Sequence, residues 1–139
     1  AALIDAGVAV IHLVNRAPAR AERLARDLGG PFDVRPWDER QDALHGAALV
    51  VNTTPLGMAG QPPLEVTLAH VAPGCVVYDL VYAPLETALL AEARRLGHVA
   101  VDGLGMLLHQ ARPGFAAWFG VAPEVTSALR AAVVATLTP

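Results

Sequence analysis

The stretch Val8–Arg16, VAVIHLVNR, decides how this 139-residue chain is interpreted. Val8–Val14 is almost entirely apolar, which is typical of a parallel β-strand covered on both faces. Pro18 follows where a proline suits the first turn of a helix, and Gly29 is a stop signal for that helix after Leu28. The stretch therefore predicts a strand that leads into a helix, which is the first half of a βαβ unit.

The same alternation of strands and helices continues along the rest of the chain. Further elements are predicted as strands around Val34 and at Ala47–Asn52, Val76–Val81 and Val99–Val101, and as helices near Glu39–His45 and at Leu85–Leu96, Leu104–Phe119 and Pro123–Leu137. Strands that alternate with helices of about 10–15 residues indicate βαβ units and a mostly parallel sheet. We therefore predict an α/β fold with a Rossmann-like parallel sheet and two carboxy-terminal helices.

The beginning of the chain is unusual for such a fold. Ala1–Ala6 and Gly7 are typical of the end of a helix. A dinucleotide-binding fold places a strand and a glycine-rich turn before its first helix, and neither is present here. We therefore expect a sheet truncated at its start, with residues 1–103 forming a partial nucleotide-binding domain and residues 104–139 forming the closing helices.

The composition argues against several classes of protein. Hydrophobic residues make up 54% of the chain and the mean hydropathy is +0.43, yet no apolar run approaches the roughly 20 residues that span a bilayer. A net charge of −3 without a basic tract argues against a nucleic-acid surface. Cys75 stands alone and is expected to be buried, and the five histidines lack metal-binding spacing. We expect a cytoplasmic protein without a metal site and without nucleic-acid or membrane partners.

The residues suited to chemistry follow the predicted strands. They lie at Asn15-Arg16, at Asn52–Met58, at Asp79–Tyr82 and at Asp102-Gly103. Ligands of open α/β sheets bind outside the carboxyl ends of the strands. Because four strand ends agree, we expect the ligand site at that edge.

Arg16 is the most informative of these residues. At the end of the second strand of a dinucleotide fold, an acid favours NAD, whereas an arginine accommodates the 2′-phosphate of NADP. Arg20 follows one helical turn later, so the two guanidinium groups could clamp one phosphate. The alternative is a solvated helix face of arginines paired with Glu22 and Asp27. Spacing alone favours that alternative, whereas the position at a strand end favours phosphate binding.

Four stretches of the chain resemble the successive signatures of the shikimate dehydrogenase family. They occur in order at Asn15–Ala21, Asn52–Met58, Tyr78–Tyr82 and Asp102–Ala111, and the resemblance covers essentially the whole chain. The Asp-Gly-Leu-Gly-Met-Leu and Asn-Thr-Thr-Pro-Leu-Gly-Met stretches are the specific ones. The resemblance implies an NADP-dependent oxidoreductase that reduces 3-dehydroshikimate to shikimate in aromatic amino acid biosynthesis.

The resemblance also implies the cofactor contacts. Asn15, Arg16 and Arg20 match the loop that holds the phosphate of the adenosine ribose, although Ala17 replaces the usual threonine and loses one hydroxyl contact. Contacts on the ribose and nicotinamide side of NADP are implied for Thr53, Thr54, Leu80, Gly103 and Met106.

Two further residues match substrate contacts of the family. Tyr82 and Gln110 correspond to side chains that hydrogen-bond the substrate, although Tyr82 would otherwise cap a strand end and Gln110 would satisfy a backbone group. For Asp79 and Asp102 we favour a structural role, in which they anchor loop amides. His12, inside a predicted strand, is expected to be a hydrogen-bonded histidine and not a ligand.

The catalytic residues of the family are not expected in this chain. The family uses a lysine–aspartate pair in an amino-terminal substrate domain, whereas all ten basic residues here are arginine. The glycine-rich pyrophosphate loop would precede Ala1. The helices of residues 104–139 would then lack the substrate domain against which they pack, and a homodimer is one expected consequence.

Two alternatives remain from the sequence. A relative that acts on quinate or on an aminated analogue would share these motifs, because the discriminating residues belong to the substrate domain. A non-catalytic nucleotide-binding module would require a chain that begins naturally at Ala1.

Overall fold

The computed structural model describes residues 1–137 and contains two compact units, Ala1–Ala47 and a second that begins at Ala48. Each unit holds one sheet, of two strands in the first and three in the second, and every strand pair is parallel. The predicted α/β class with parallel strands is therefore confirmed. The predicted division at residue 103 stays a prediction.

The first unit is a βαβ arrangement preceded by one helical turn. Its elements are α1 (Ala2–Asp5), β1 (Ile11–Asn15), α2 (Pro18–Leu28) and β2 (Phe32–Pro36). Pro18 occupies the first turn of α2, where its missing N–H costs no hydrogen bond. Gly29 ends the helix with a φ of 62°, which a side chain would disfavour. The predicted bounds of α2 are confirmed.

His12 is hydrogen-bonded, as predicted. Its Nδ1 lies 2.8 Å from Oδ2 of Asp33, the residue opposite it on β2, and Arg35 Nε donates to the same oxygen at 2.8 Å. The hydrogen bonds from Arg35 and then from His12 lower the pKa of Asp33. A lowered pKa means that the fold favours the carboxylate, so this contribution to stability is lost as the pH falls through the pKa of the folded state.

Two predictions for the first unit are wrong. The strand predicted at Val8–Val14 begins only at Ile11 and is half-exposed instead of covered on both faces. The helix predicted near Glu39–His45 is replaced by two 3₁₀ turns, Trp37–Glu39 and Asp42–Leu44. Ala43 is the one fully buried residue of these turns, so there is no apolar stripe to stabilise a longer helix.

The second unit carries three parallel strands and three helices. They are β3 (Leu49–Asn52), β4 (Val76–Asp79), α3 (Ala88–Arg95), β5 (Val99–Val101), α4 (Leu104–Phe119) and α5 (Ser127–Leu137). The strands pair in the order β3-β4-β5, so their carboxyl ends share one edge. Asn52 stands opposite Asp79 at that edge.

The core of this unit lies between α3 and the sheet, where α3 packs on β4 and β5. Its fully buried apolar side chains are Leu68, Cys75, Val77, Leu90, Ala93 and Leu104. Thr87 caps α3: its hydroxyl accepts from Leu90 N at 3.3 Å and donates to Asp79 Oδ2 at 2.7 Å. Burial raises the pKa of the Cys75 thiol, in agreement with its predicted role as a small buried residue.

The strand predicted at Ala47–Asn52 is present as β3, but only one of its faces is buried. Val50 and Asn52 are buried, whereas Leu49 is 39% and Val51 38% exposed. Burial therefore alternates along the strand, because helix packing covers one face of the sheet and the opposite face remains open.

The closing helices follow the sequence pattern closely. The bounds of α4 are as predicted, and the helix ends at Gly120, which has a φ of 71°. Helix α5 begins at Ser127 instead of Pro123, because the Thr126 hydroxyl accepts a hydrogen bond from Leu129 N and caps the first turn. Among the described residues no helix is long and apolar enough to cross a membrane.

Replacing Thr87 tests the buried cap. The variant Thr87→Val keeps the shape of the side chain but removes the cap of α3 and one hydrogen bond to a buried carboxylate. We expect the free energy of unfolding to fall by about 2–3 kcal/mol, measured by urea denaturation. Thr87→Ser retains the hydroxyl and should lose less than half of that amount. Equal losses in the two variants would contradict this assignment.

Candidate functional site

A cleft of about 380 Å³ opens at the carboxyl edge of the second unit's sheet. It lies between the segments that follow β3 and β4. Its lining consists of Thr53, Thr54, Pro55, Met58, Leu80, Val81, Tyr82 and Ala83. None of these side chains is charged, and apolar groups and the hydroxyls of Thr53, Thr54 and Tyr82 are available to a flat ring.

Asn52 organises the wall of the cleft that follows β3. Its Oδ1 accepts from Thr54 N at 3.0 Å and from Thr54 Oγ1 at 2.8 Å, and its Nδ2 donates to Leu56 O at 3.1 Å. Asn52 is buried, so these bonds are shielded from water. The side chain thereby folds the backbone of residues 53–56 into the wall that presents Thr53 and Thr54.

Asp79 organises the opposite wall in the same way. Its Oδ1 accepts from Val81 N at 3.1 Å and from Asn52 Nδ2 at 2.9 Å, and its Oδ2 accepts from the Thr87 hydroxyl. The predicted anchoring role of Asp79 is therefore present in the structure. Both walls of the cleft are tied to one buried carboxylate.

Gly103 is required by the close approach of two backbone segments. A Cβ at this position would overlap the carbonyl group of Leu80 and crowd the carbonyl oxygen of Val81. Gly103 N also donates to Val81 O at 3.2 Å. The turn between β5 and α4 therefore rests directly against the cleft wall, which explains why a glycine stands there.

Asp102, the second acid for which a structural role was predicted, also makes structural hydrogen bonds. Its Oδ1 accepts from Leu104 N at 3.0 Å, and its Oδ2 lies 2.5 Å from Arg130 of α5 in an ion pair. Burial raises the pKa of Tyr78, and the charge of Asp102 raises it further. Asp102 thus joins α5 to the start of α4.

Gly103, Met106 and Gln110 follow one another at helical spacing. Intervals of three and four residues place them on the same side of α4. Met106 is half-buried and Gln110 is exposed. Neither side chain belongs to the lining of the cleft, so their predicted contacts with cofactor and substrate stay predictions.

The predicted phosphate loop lies in the first unit, at the end of β1. Asn15 Oδ1 accepts from Ala17 N at 2.8 Å, which shapes the turn into α2. Ala17, at the start of α2, offers no side-chain cap. Arg16 and Arg20 are exposed, and no carboxylate pairs with either within residues 1–137. Of the pairing expected for a solvated arginine face, only Arg26–Glu22 is present, at 3.9 Å.

The structure brings four of the predicted site residues together. Thr53, Thr54, Leu80 and Tyr82 share the cleft, with Gly103 packed behind Leu80. Pro55, Met58, Val81 and Ala83 also line the cleft and were not predicted as site residues, and neither was the cis peptide bond between Ala83 and Pro84. Their signal lay inside the quoted motifs, which contain Pro55, Met58 and Val81.

No group of three histidine, cysteine or acidic side chains within the described part of the chain could hold a metal ion.

Comparison with known proteins bears out the resemblance to shikimate dehydrogenases. The chain is 59% identical to the shikimate dehydrogenase (NADP(+)) of Rhodospirillum rubrum, in a match that covers 96% of this chain and 49% of that protein. A quinate dehydrogenase from Corynebacterium glutamicum in complex with NAD matches with a TM-score of 0.82 at 31% identity, covering 96% of this chain and 49% of that one.

A third match carries both ligands. Shikimate 5-dehydrogenase from Thermus thermophilus, in complex with NADP(H) and shikimate, gives a TM-score of 0.68 at 32% identity, covering 88% of this chain and 44% of that one. No protein-family model matches the chain. The chain spans about half the length of the curated relatives it matches. The similarity to the Corynebacterium and Thermus structures confirms the predicted Rossmann-like fold.

The contact behind the cleft can be tested with two glycines of the same segment. Gly103→Ala forces the β5–α4 turn away from Leu80, so we expect the free energy of unfolding to fall by about 1–3 kcal/mol in a thermal or urea melt. Gly105→Ala is the matched control, because its added Cβ would meet nothing within 4 Å. That variant should be neutral or more stable by about 0.5–1 kcal/mol. A Gly103→Ala variant as stable as Gly105→Ala would contradict the packing described.

Proposed function

We propose that this chain is the NADP-binding part of a shikimate dehydrogenase, an enzyme that reduces 3-dehydroshikimate to shikimate with NADPH. The observation that carries the proposal is the pair of unpartnered guanidinium groups, Arg16 and Arg20, at the start of α2. The similarity over 96% of the chain to an enzyme named for NADP(+) supports the same cofactor. The reaction belongs to aromatic amino acid biosynthesis, for which we propose a cytoplasmic location.

The residues at the start of α2 fit the phosphate that distinguishes NADP from NAD. Two guanidinium groups one helical turn apart supply paired N–H donors to a phosphate. The free amides at the start of the helix favour an anion at the same place. Asn15, which holds Ala17 N, sets the path of the chain between the strand and the helix. Residues 15–20 include no aspartate or glutamate that could bind the 2′-hydroxyl of NAD.

The cleft of the second unit, taken by itself, fits a nicotinamide ring and its ribose. The uncharged lining and the hydroxyls of Thr53 and Thr54 suit a nicotinamide and its ribose, and Leu80 offers an apolar contact. Gly103 lets the β5–α4 turn pack directly behind Leu80, because a side chain at this position would overlap the Leu80 carbonyl group. We assign Met106 to the same side of the ring. When bound, the cofactor supplies the hydride, and these residues hold and orient its ring.

Substrate contacts from this chain are assigned to Tyr82 and Gln110. Tyr82 lines the cleft, is 36% exposed and has no hydrogen-bond partner for its hydroxyl among residues 1–137, so the hydroxyl is available to a ligand. Gln110 is exposed on α4. As the resemblance implies, we propose that the proton for the reduced oxygen comes from the substrate domain, and Asp79 and Asp102 here hold structural hydrogen bonds.

A quinate dehydrogenase is the second candidate. It is favoured by the similarity to the Corynebacterium enzyme, whose structure holds NAD. Arg16 and Arg20 argue for NADP instead, because the guanidinium groups gain nothing from the 2′-hydroxyl of NAD. The nucleotide preference of this chain therefore separates the two candidates on the side of the cofactor.

The surface of α4 supports the assignment of residues 104–139 to contact with a further domain. On α4, Trp118 is 81% and Phe119 64% exposed, and the rings of Phe115 and Phe119 lie 4.5 Å apart at a tilt of 40°; Val121, just after the helix, is 63% exposed. Contiguous exposed aromatic surface of this kind marks an interface. We propose that this aromatic surface packs on the substrate domain of the longer enzyme. We also propose that the chain alone self-associates to a homodimer through the same surface.

The phosphate clamp predicts a selective loss of NADP affinity. Arg16→Ala and Arg20→Ala should each weaken NADP binding by about 10–100-fold, since each removes a charge-assisted hydrogen bond to phosphate, and should leave NAD binding nearly unchanged. Binding is measured by calorimetric titration with both nucleotides.

Arg23→Ala is the matched control for the clamp, because Arg23 is an exposed arginine on the same helix but lies one turn further from the strand end. It should change NADP affinity less than twofold. Equal affinity of the unchanged protein for NADP and NAD would reject the clamp and with it the choice of cofactor.

The aromatic surface predicts association of the chain when it is produced alone. We expect the 139-residue chain to bind an apolar dye such as anilinonaphthalene sulfonate and to self-associate in sedimentation. The variant Trp118→Gln with Phe119→Gln should reduce both signals. A monomer without dye binding would contradict the proposed interface.

A further inference from the structure

Asp79 is a buried carboxylate without a cation. Its exposed fraction is 0%, and its bonds come from the Asn52 amide, the Val81 N–H and the Thr87 hydroxyl. No arginine or histidine pairs with it among residues 1–137, although other acids of the unit are paired. Burial of an uncompensated charge is costly, and a neutral side chain of the same shape exists in asparagine.

The position of Asp79 places that charge directly behind the cleft. The two residues that follow it, Leu80 and Val81, belong to the cleft lining, and Val81 donates its N–H to the carboxylate. Through Asn52 the carboxylate is also bonded to the opposite wall. The charge is therefore joined to both walls without being exposed in the cleft itself.

No cationic side chain among residues 1–137 hydrogen-bonds to Asp79 or pairs with it. The eight residues that line the cleft are uncharged. The carboxylate of Asp102 is paired with Arg130, and that of Glu86 with Arg94. The N-terminus of α3 and the three donors of Asp79 offset the local cost of burial, but they are dipoles, so the unit negative charge remains. In a poorly solvated wall its field extends into the cleft.

We infer that Asp79 makes this cleft prefer a cationic ring over a neutral one of the same shape. This inference rests on the proposed function, which places the nicotinamide in the cleft. The oxidised ring carries a positive charge and the reduced ring does not, so Asp79 favours NADP⁺ over NADPH. The same charge stabilises the ring cation that remains when a hydride, with its electron pair, has passed to the substrate's carbonyl carbon.

The test is the ratio of the dissociation constants of NADP⁺ and NADPH, measured by calorimetry or by nucleotide fluorescence. The variant Asp79→Asn removes the charge and keeps the shape. It should shift the ratio towards NADPH by about 3–10-fold, as expected for one charge at intermediate dielectric screening. Thr87→Val is the matched control, because it disturbs the same network and leaves the charge. It should weaken both nucleotides by the same factor and leave the ratio within twofold.

Three results would overturn the inference. The first is a folded Asp79→Asn variant, checked by circular dichroism, with an unchanged ratio. The second is a Thr87→Val variant whose ratio shifts as far as that of Asp79→Asn, which would make the effect one of geometry. The third needs no variant: it is an unchanged protein that binds NADPH more tightly than NADP⁺. Absence of binding by both nucleotides would instead reject the proposed function.

Discussion

The hydrogen bond from Asn52 Nδ2 to Asp79 Oδ1, 2.9 Å long and fully buried, is the constraint on which the candidate site depends. It joins the carboxyl ends of β3 and β4 just where both strands stop. Each partner then uses its remaining polar atoms to direct the chain that follows, Asn52 towards Thr54 and Asp79 towards Val81. The Thr87 hydroxyl completes the network and begins α3. One network thereby sets two cleft walls and one helix start.

This network is sensitive to substitution because all of the side-chain polar atoms of Asn52 and Asp79 are already hydrogen-bonded. Every polar atom of the Asn52 side chain has two partners, and both oxygens of Asp79 accept hydrogen bonds. In a buried network, loss of one member leaves the others without partners, which costs more than the bond itself contributes. The network consequently restrains the backbone at the base of both cleft walls.

Local signals in the sequence predicted much of this structure. Pro18 and Gly29 act on the ends of their own helix, and the bounds of α2 and α4 are as expected. Properties that depend on distant residues were not predicted. Whether a strand such as β3 is covered on one face or two is decided by elements far away in the chain, and apolar residues alone do not reveal it. The steric role of Gly103 against Leu80 is likewise invisible before the backbones are placed.

The close contact at Gly103 has a mechanical consequence for α4. The turn before α4 fixes the direction of the helix axis. Gly103 packs against the Leu80 carbonyl, and Asp102 is paired with Arg130. Gln110 lies seven residues further on, a distance of about 10 Å along the axis. A tilt of the helix by about 10° at this turn would move the Gln110 backbone sideways by about 2 Å. A hydrogen bond does not survive a change of that size in its donor–acceptor distance. Substitutions at Gly103 or Asp102 would therefore displace Gln110, the proposed substrate contact, without altering its side chain.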